Sequence, residues 1–289
     1  MSEDTATLVP TIAVPVQELR GIERLAVELA NLAGAEIVTA LGGILAVRYK
    51  TELIDESVWR DPVSEVDHRV ETLIRARLAE KYPEHDIIGE EMDERPGRDH
   101  DFVWAVDPID GTANFVNGFP LFAASIGVLH RGRPVAGAVW CSTSHRLRSG
   151  VYHACVGGSL CFDNDTAEPK LNPAVRRRLA GVPDGEAGDG PWDARKTGSA
   201  AIECALVAAG LLEVARFEAP NIWDVAGGLA LVLAAGGEVR MRNGRGWTPM
   251  DRFEPLPAMV GGAPDLRNWR RSLIIGKPDA VAQMCGGLA

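Results

Sequence analysis

The stretch Trp104-Ala105-Val106-Asp107-Pro108-Ile109-Asp110-Gly111-Thr112-Ala113-Asn114-Phe115 constrains this chain more than any other. Its apolar first half reads as a strand, and Asp107 falls at that strand's carboxyl end. Pro108 then fixes φ and removes a backbone donor, so regular pairing is expected to stop there. Gly111 permits a tight turn that folds Asp110 back toward Asp107. Two carboxylates with the Ile109 carbonyl between them make a set of hard oxygen donors, of the kind Mg²⁺ takes in octahedral geometry. Backbone N–H groups beyond Gly111, at the opening of a helix, would suit a phosphate. An Asx-type turn with solvated aspartates would use the same residues, so the motif needs partners from elsewhere in the chain.

Three other acidic segments are candidates. Gly89-Glu90-Glu91 follows the short strand pattern Asp86-Ile87-Ile88-Gly89, a natural position for a site at a sheet edge, although adjacent glutamates also occur in solvated turns. In Asp61-Pro62-Val63-Ser64-Glu65-Val66-Asp67, Ser64 reads as an N-cap and Asp67 as the acid of a capping box. Trp223-Asp224-Val225-Ala226-Gly227-Gly228 sets one acid at the head of an apolar helix, where Asp224 serves either as an N-cap or as a buried ligand. Four carboxylates within a few ångströms cannot all stay ionised without cations, because like charges raise one another's pKa. If these acids converge, metal ions are required, and they would turn an acidic cradle into a cationic phosphate site.

The rest of the chain suits that reading. Apolar residues from Val16 through Leu19, Ile22, Leu25, Ala26, Leu29, Leu32 and Ala33 recur at helical spacing, and a second helix is expected over Glu65 to Lys81, stopped by Tyr82-Pro83. Strands are expected over Phe102 to Val106, Phe122 to Leu129 and Val135 to Trp140, where small residues point to close packing. Gly181 to Pro191 reads as a loop, and Ser199 to Ala209 and Asp224 to Ala235 as buried helices. Strands mixed irregularly with helices favour a layered α/β arrangement. Residues 1–15 read as a lead-in and 16–289 as one domain, with the metal motifs concentrated before about residue 150. Lys and Arg total 30 against 40 Asp and Glu, a net charge of −10, which argues against a nucleic-acid or anionic-membrane partner. Five irregularly spaced cysteines with no CxxC pair, an acidic start, and no apolar run of membrane length imply reduced thiols and a cytoplasmic protein.

Five segments in order, Asp61 to Asp67, Gly89 to Glu91, Trp104 to Phe115, Gly198-Ser199-Ala200-Ala201 and Trp223 to Gly228, resemble the inositol monophosphatase family of Mg²⁺-dependent, lithium-sensitive phosphatases. The resemblance implies a layered α/β/α/β/α sandwich of the inositol monophosphatase and fructose bisphosphatase type, commonly a homodimer. It implies a first Mg²⁺ on Glu90, Asp107 and the Ile109 carbonyl, and a second on Asp107, Asp110 and Asp224. Thr112 and Asp67 would orient and deprotonate the attacking water, with Glu90 also at the catalytic centre. Gly111 and Thr112 amides would hold the phosphate, while Gly198, Ser199, Ala200, Glu218 and Asp224 would border the substrate.

The implied substrate is a small phosphate monoester, inositol monophosphate or a related polyol or sugar phosphate. Sister substrates would be fructose bisphosphate, 3′-phosphoadenosine 5′-phosphate, NADP or histidinol phosphate. A metal-binding regulatory homologue without catalysis is the non-enzymatic alternative, though it predicts a lost ligand and every candidate acid is present. A covalent aspartyl phosphatase of the haloacid dehalogenase type would need its nucleophile where Pro108 stands. A metal-dependent glycosyltransferase Asp-x-Asp motif would need a spacing shorter by one. The departures from the family pattern touch specificity. The segment before Gly198 is cut down to the Gly181–Pro191 loop, and Glu218 sits one residue nearer Trp223 than usual. Trp59-Arg60 stand in the early loop where the family commonly carries a more flexible, lysine-containing segment, which leaves open the third metal position that some members show.

Overall fold

The computed structural model describes residues 14–43, 47–49, 62–168, 172, 174–175, 178–183, 190–258 and 263–287. Trp59, Arg60, Asp61, most of the lead-in and the middle of the Gly181–Pro191 segment lie outside the described residues. The first apolar stripe forms α1 (Val16–Ala40), which continues past Ala33 because Gly34 and Ile37 keep the same face buried. A two-stranded antiparallel ribbon, β1 (Val47–Tyr49) and β2 (Pro62–Ser64), leads into α2 (Glu65–Lys81). The second helix has the predicted ends, since Ser64 caps its start and Tyr82-Pro83 follows its last turn.

The larger sheet then forms in nearly sequential order from β3 (Asp86–Gly89), β4 (Phe102–Asp110), β5 (Ala123–His130), β6 (Arg133–Cys141), β7 (Gly150–Cys155), β8 (Cys161–Phe162) and β9 (Asp165–Thr166). One short helix, α3 (Thr112–Val116), interrupts the run between β4 and β5. β3 pairs parallel to β4 and the remaining neighbours pair antiparallel. β4 does not stop at Pro108 as the sequence suggested. It runs on to Asp110 through a register shift against β5 between Asp107 and Asp110, and such an irregularity lets a strand tolerate a proline without losing its neighbour.

The second sheet was largely unassigned from sequence. It comprises β10 (Arg178–Gly181), β11 (Trp192–Arg195), β12 (Val214–Phe217), β13 (Glu238–Asn243), β14 (Gly246–Pro249) and β15 (Leu273–Gly276), in the order β11-β10-β12-β15-β13-β14. Gly181, expected in a loop, closes β10 instead, because β10 pairs with both β11 and β12. Between the sheets lie α4 (Ala200–Ala208) and α5 (Ile222–Ala234), and α6 (Pro278–Gly287) covers the outer face of the second sheet. With α1 and α2 on the far side of the first sheet, the layers run α/β/α/β/α, which is the expected sandwich. The five cysteines are free, and Cys141, Cys155 and Cys204 are buried as small apolar groups. Among the described residues, no helix is long and apolar enough to cross a membrane.

Close approach of α5 to the first sheet positions the site. Gly127 and Gly137 are register partners on β5 and β6. A Cβ at Gly127 would meet the Gly227 nitrogen at 2.5 Å, and one at Gly137 would meet the Gly227 carbonyl oxygen at 2.2 Å. Three glycines thus let backbone touch backbone, and the helix that begins beside Asp224 lies directly on the sheet that carries Asp107.

On the opposite side, the buried Glu23 of α1 accepts from His153 of β7 at 2.8 Å, and the other His153 nitrogen lies 2.8 Å from the Asp163 carbonyl. Burial pulls the imidazolium pKa down, but Glu23 and that carbonyl outweigh it and hold His153 above its ordinary value of 6.5. Burial would raise the Glu23 carboxyl, yet His153, Cys155 and Arg20 hold it below its ordinary 4.5. The histidine's contribution to stability is complete below 6.5 and is lost as pH rises through the folded value. The glutamate's is present above 4.5 and is lost as pH falls through its own. His153→Gln should therefore cost ~3 kcal/mol near about pH 6, toward the low end for breaking a buried pair because Arg20 remains on Glu23. Denaturant melts should show a smaller deficit near about pH 9, and an equal deficit at both would remove the charge from the account.

Candidate active site

The four acidic segments converge where β4 ends. Carboxylate oxygens of Asp107, Asp110 and Asp224 all lie within 4.8 Å of one another. Asp107 is 2% exposed and Asp110 8%. Each is delivered by a different device. Asp107 rides the last regular pair of β4, opposite Ser125, and Asp110 ends the strand beyond the register shift. Gly111 then adopts φ +86, a left-handed conformation that favours glycine, and turns the chain into α3. A Cβ there would also press on the Gly198 and Leu121 carbonyl oxygens at 3.1 Å.

Asp110 is tied to α4. Its Oδ2 accepts from the Ala201 N–H at 2.6 Å and from the hydroxyl of Ser199, which caps α4 by accepting from the Ile202 N–H at 3.2 Å. Gly198, also left-handed at φ +78, lets this loop pass against Asn114. The Asn114 amide donates to the Thr197 carbonyl at 2.8 Å and to the Leu121 carbonyl at 2.6 Å, which ties the loop to the end of α3. Asp224 is not the N-cap of α5; Asn221 is. Asp224 stands at the third helical position and accepts from the Asn221 N–H at 2.7 Å, leaving its carboxylate against Asp107 and Asp110.

Asp67 is fully buried. Its Oδ2 accepts from the Ser64 N–H at 2.9 Å and the Ser64 hydroxyl at 2.6 Å, completing the capping box. Its Oδ1 lies 3.2 Å from the Thr112 hydroxyl, which is also 2.8 Å from the Ile109 carbonyl. That hydroxyl has one proton, so the two acceptors compete for it. Glu90 continues β3, its N–H donating to the Val106 carbonyl at 3.2 Å, and its charge acts on Asp107, Asp110 and Asp224 alike. Glu218 is exposed on the segment after β12, where Arg216 at 3.2 Å and Ser272 at 3.3 Å hold it. Ala200 opens α4 beside Ser199.

Burial, then mutual repulsion, governs the titration of the cluster. Asp107 is pushed well above its ordinary value by burial and then by Glu90, Asp110 and Asp224. Burial raises Asp224 to about 8, with Asp110 and Glu90 adding to it. It raises Asp110 to about 6 against the pull of Ser199 and Ala201, and Asp67 to about 6 against Ser64. Among the described residues, the buried Oδ1 of Asp107 has no hydrogen-bond partner. A divalent cation with a preference for oxygen donors would satisfy that atom and offset the repulsion, so the donor set fits Mg²⁺.

Several supports escaped the sequence reading. Buried Glu71 of α2 accepts from the Glu91 N–H at 2.8 Å and from Arg75 at 2.7 Å, and Arg75 donates to the Met92 carbonyl at 2.9 Å and the Glu94 carbonyl at 2.8 Å. Together they hold the Glu90 turn. Their signal was a charged i, i+4 pair, Glu71 and Arg75, interleaved with the apolar face of α2. On the far side, Arg267 and Arg270 stack over Trp223 at 5.1 and 5.3 Å. The arginine-rich run Arg267-Asn268-Trp269-Arg270-Arg271 in an acidic chain was the available hint.

Residues 18–258 match the model of the inositol monophosphatase family. The chain belongs to the inositol monophosphatase family. It is therefore grouped with phosphoric monoester hydrolases. It is 30% identical over 243 residues to the chloroplastic phosphatase IMPL1 of Arabidopsis thaliana, across 78% of this chain but only 64% of that protein's length. It is 31% identical over 222 residues to the fructose-1,6-bisphosphatase/inositol-1-monophosphatase of Aquifex aeolicus (73% of this chain, 82% of that one). It is 32% identical over 249 residues to the probable inositol 1-monophosphatase ImpA of Mycobacterium tuberculosis (80% and 90%). An inositol monophosphatase structure from Anabaena superposes with a TM-score of 0.69 at 20% identity, covering 94% of this chain and 96% of that one, and shares its fold.

A carboxyl whose folded pKa is raised holds its proton more tightly folded than unfolded, so rising pH weakens the fold. The metal-free protein should lose thermal stability from about pH 4 to about pH 8 as these groups are forced to ionise. Asp107→Asn should raise the metal-free melting temperature by ~2–4 °C, about 1 kcal/mol in a chain of this size. Calorimetry in chelator over about pH 4 to about pH 8 measures both, and a lower melting temperature for the variant at about pH 8 would refute the repulsion argument.

Proposed function

We propose that the chain hydrolyses a small phosphate monoester with water as nucleophile and without a phosphoenzyme, using two Mg²⁺ ions. The observation that carries this reading is the convergence of Asp107, Asp110 and Asp224, with an orphaned buried oxygen on Asp107, beside a Thr112–Asp67 pair. Glu90, Asp107 and the Ile109 carbonyl would hold one ion, and Asp107, Asp110 and Asp224 the other. When bound, the ions supply charge neutralisation at the phosphoryl group and at the leaving oxygen.

The chain's own residues supply the rest. Of its two competing acceptors, the Thr112 hydroxyl would give its hydrogen bond to Asp67 during the reaction, and its oxygen would accept one from the attacking water, so a proton could pass from water through Thr112 to Asp67. Ser64 keeps the second Asp67 oxygen engaged, leaving Oδ1 for this task. Left-handed Gly111 brings its own amide and that of Thr112 into the turn beside the carboxylates, where they would bind the phosphate. Gly198, Ser199 and Ala200 would border the substrate. Glu218 would contact a substrate hydroxyl, with Arg216 and Ser272 fixing its orientation.

The substrate class follows from kinship with proteins named for inositol 1-phosphate, so a polyol phosphate is the first reading. The name of the Aquifex relative, which joins fructose 1,6-bisphosphate to inositol 1-phosphate, favours a sugar bisphosphate as the second. Phosphate release from inositol 1-phosphate and fructose 1,6-bisphosphate, measured with Mg²⁺ and with chelator, separates them. Activity should require Mg²⁺ and fall with Li⁺. Thr112→Ala and Asp67→Asn should each lose ~10²–10⁴-fold in kcat, the range for removing positioned proton transfer. Asp107→Asn should abolish turnover. Release that persists in chelator or in Asp107→Asn would sink the proposal.

A further inference from the structure

Arg267 makes more contacts across the site than any step of the proposed reaction uses. It lies on a short 3₁₀ turn, Leu266–Asn268, capped by Asp265, whose Oδ1 accepts from the Arg267 N–H at 2.9 Å. The Arg267 guanidinium donates to the Gly89 carbonyl, to the Met92 carbonyl at 3.3 Å and to the Glu90 carbonyl at 3.3 Å, and it pairs with Asp93 at 2.9 Å. Its face lies 5.1 Å from the Trp223 ring centroid. Glu90 stands in the first of these segments, and Asp224 directly follows Trp223. One side chain therefore bridges the two segments that carry Glu90 and Asp224.

The bridge is anchored behind. Arg95, almost fully buried, pairs with both Asp86 oxygens at the foot of β3 and with Asp265 at the start of the turn. Trp223 is 5% exposed and its indole N–H has no partner among the described residues, so stacking rather than hydrogen bonding orients that ring. The bridged segments carry like charges that repel across the site. A clamp is needed most where the groups it holds push apart.

We propose that Arg267 is a positioning residue for the metal centre: it holds the Glu90 turn and the Asp224 end of α5 at the spacing an ion needs. This inference rests on the metal reading above. The role needs a guanidinium, whose planar fork serves several carbonyls while its face stacks on the indole; an ammonium keeps the charge but loses the stack and most of the fork.

The test uses the whole 289-residue chain without substrate. Free Mn²⁺ is counted by electron paramagnetic resonance as it is titrated into metal-free wild type, R267A, R267K and R131A, the last a surface pair with Asp101. Circular dichroism and thermal melts report folding separately. R267A and R267K should each raise the Mn²⁺ dissociation constant ~10–100-fold, the usual cost of removing a residue that orients metal ligands, while R131A stays at wild type. Binding by R267A and R267K within about twofold of wild type overturns the proposal, even if melting temperatures fall, because the residue would then be structural only. Wild-type affinity in R267K alone overturns it too, since charge without the fork would suffice. If R267A does not fold, R267K decides. Wild type that takes up no Mn²⁺ overturns the metal reading and this inference with it, an outcome distinct from wild-type binding that the variants leave unmoved.

Discussion

Repulsion among buried carboxylates is the constraint on which the rest of this molecule turns. Asp107, Asp110 and Asp224 bring oxygens within 4.8 Å of one another, with Glu90 close enough to raise all three. A fold that gathers such groups gives up stability at neutral pH and needs a framework that resists their separation. Much of the architecture reads as that framework. Asp110 is pinned by Ser199 and Ala201, Asp224 by Asn221, and Asp67 by Ser64, so each acid reaches the site already hydrogen-bonded to the start of a helix. Helix N-termini tolerate negative charge, which makes them the least costly places from which to project an acid.

The supports come from both sides of the sheet that carries Asp107. On one side, Glu71 and Arg75 of α2 hold the Glu90 turn; on the other, α5 lies against Gly127 and Gly137 and brings Asp224 up to β4. A larger residue at Gly227, whose Cβ would meet the Ser125 oxygen at 2.8 Å, would lift α5 and carry Asp224 away. Packing far from the chemistry thus sets the spacing of the donors, and interiors as dense as proteins' transmit such shifts rather than absorb them.

The two halves of the structure were unequally legible in the sequence. α2 was legible because its cap, apolar stripe and stop all agree, and β4 because an apolar run is followed by the Asp-Pro-Ile-Asp-Gly-Thr motif. Where a local rule pointed the wrong way, tertiary pairing had overridden it: Pro108 stays in β4 because a register shift removes the need for its missing N–H. The second sheet was hidden for a different reason. β10, β11, β12 and β15 are four residues each, too short for alternation to rise above noise, and they form because their neighbours in space pair with them. The acids of the site were legible as types at helix starts and strand ends. Their supports were not, because Glu71, Arg95 and Arg267 act on carbonyls and rings remote in the chain, and no local pattern records such a contact.

The acidic balance of the chain fits this division of labour. An acidic surface offers little general attraction to an anion, so recognition has to come from within the site. Bound cations can supply it there, since they reverse the local field only where the carboxylates are gathered. Arginines near the site are consistent with that logic. Arg267 is directed at carbonyls and an indole, Arg216 at Glu218, and Arg270, whose pKa burial lowers although Asp224 pulls the other way, at the Trp269 carbonyl and the Trp223 ring. These cations hold structure while the carboxylates stay available. A fixed arginine salt-bridged into the cluster would neutralise it permanently and remove the reason to bind a metal. A cradle of repelling acids, braced from outside by arginines that bond to carbonyls and stack on a ring, keeps its affinity for an ion.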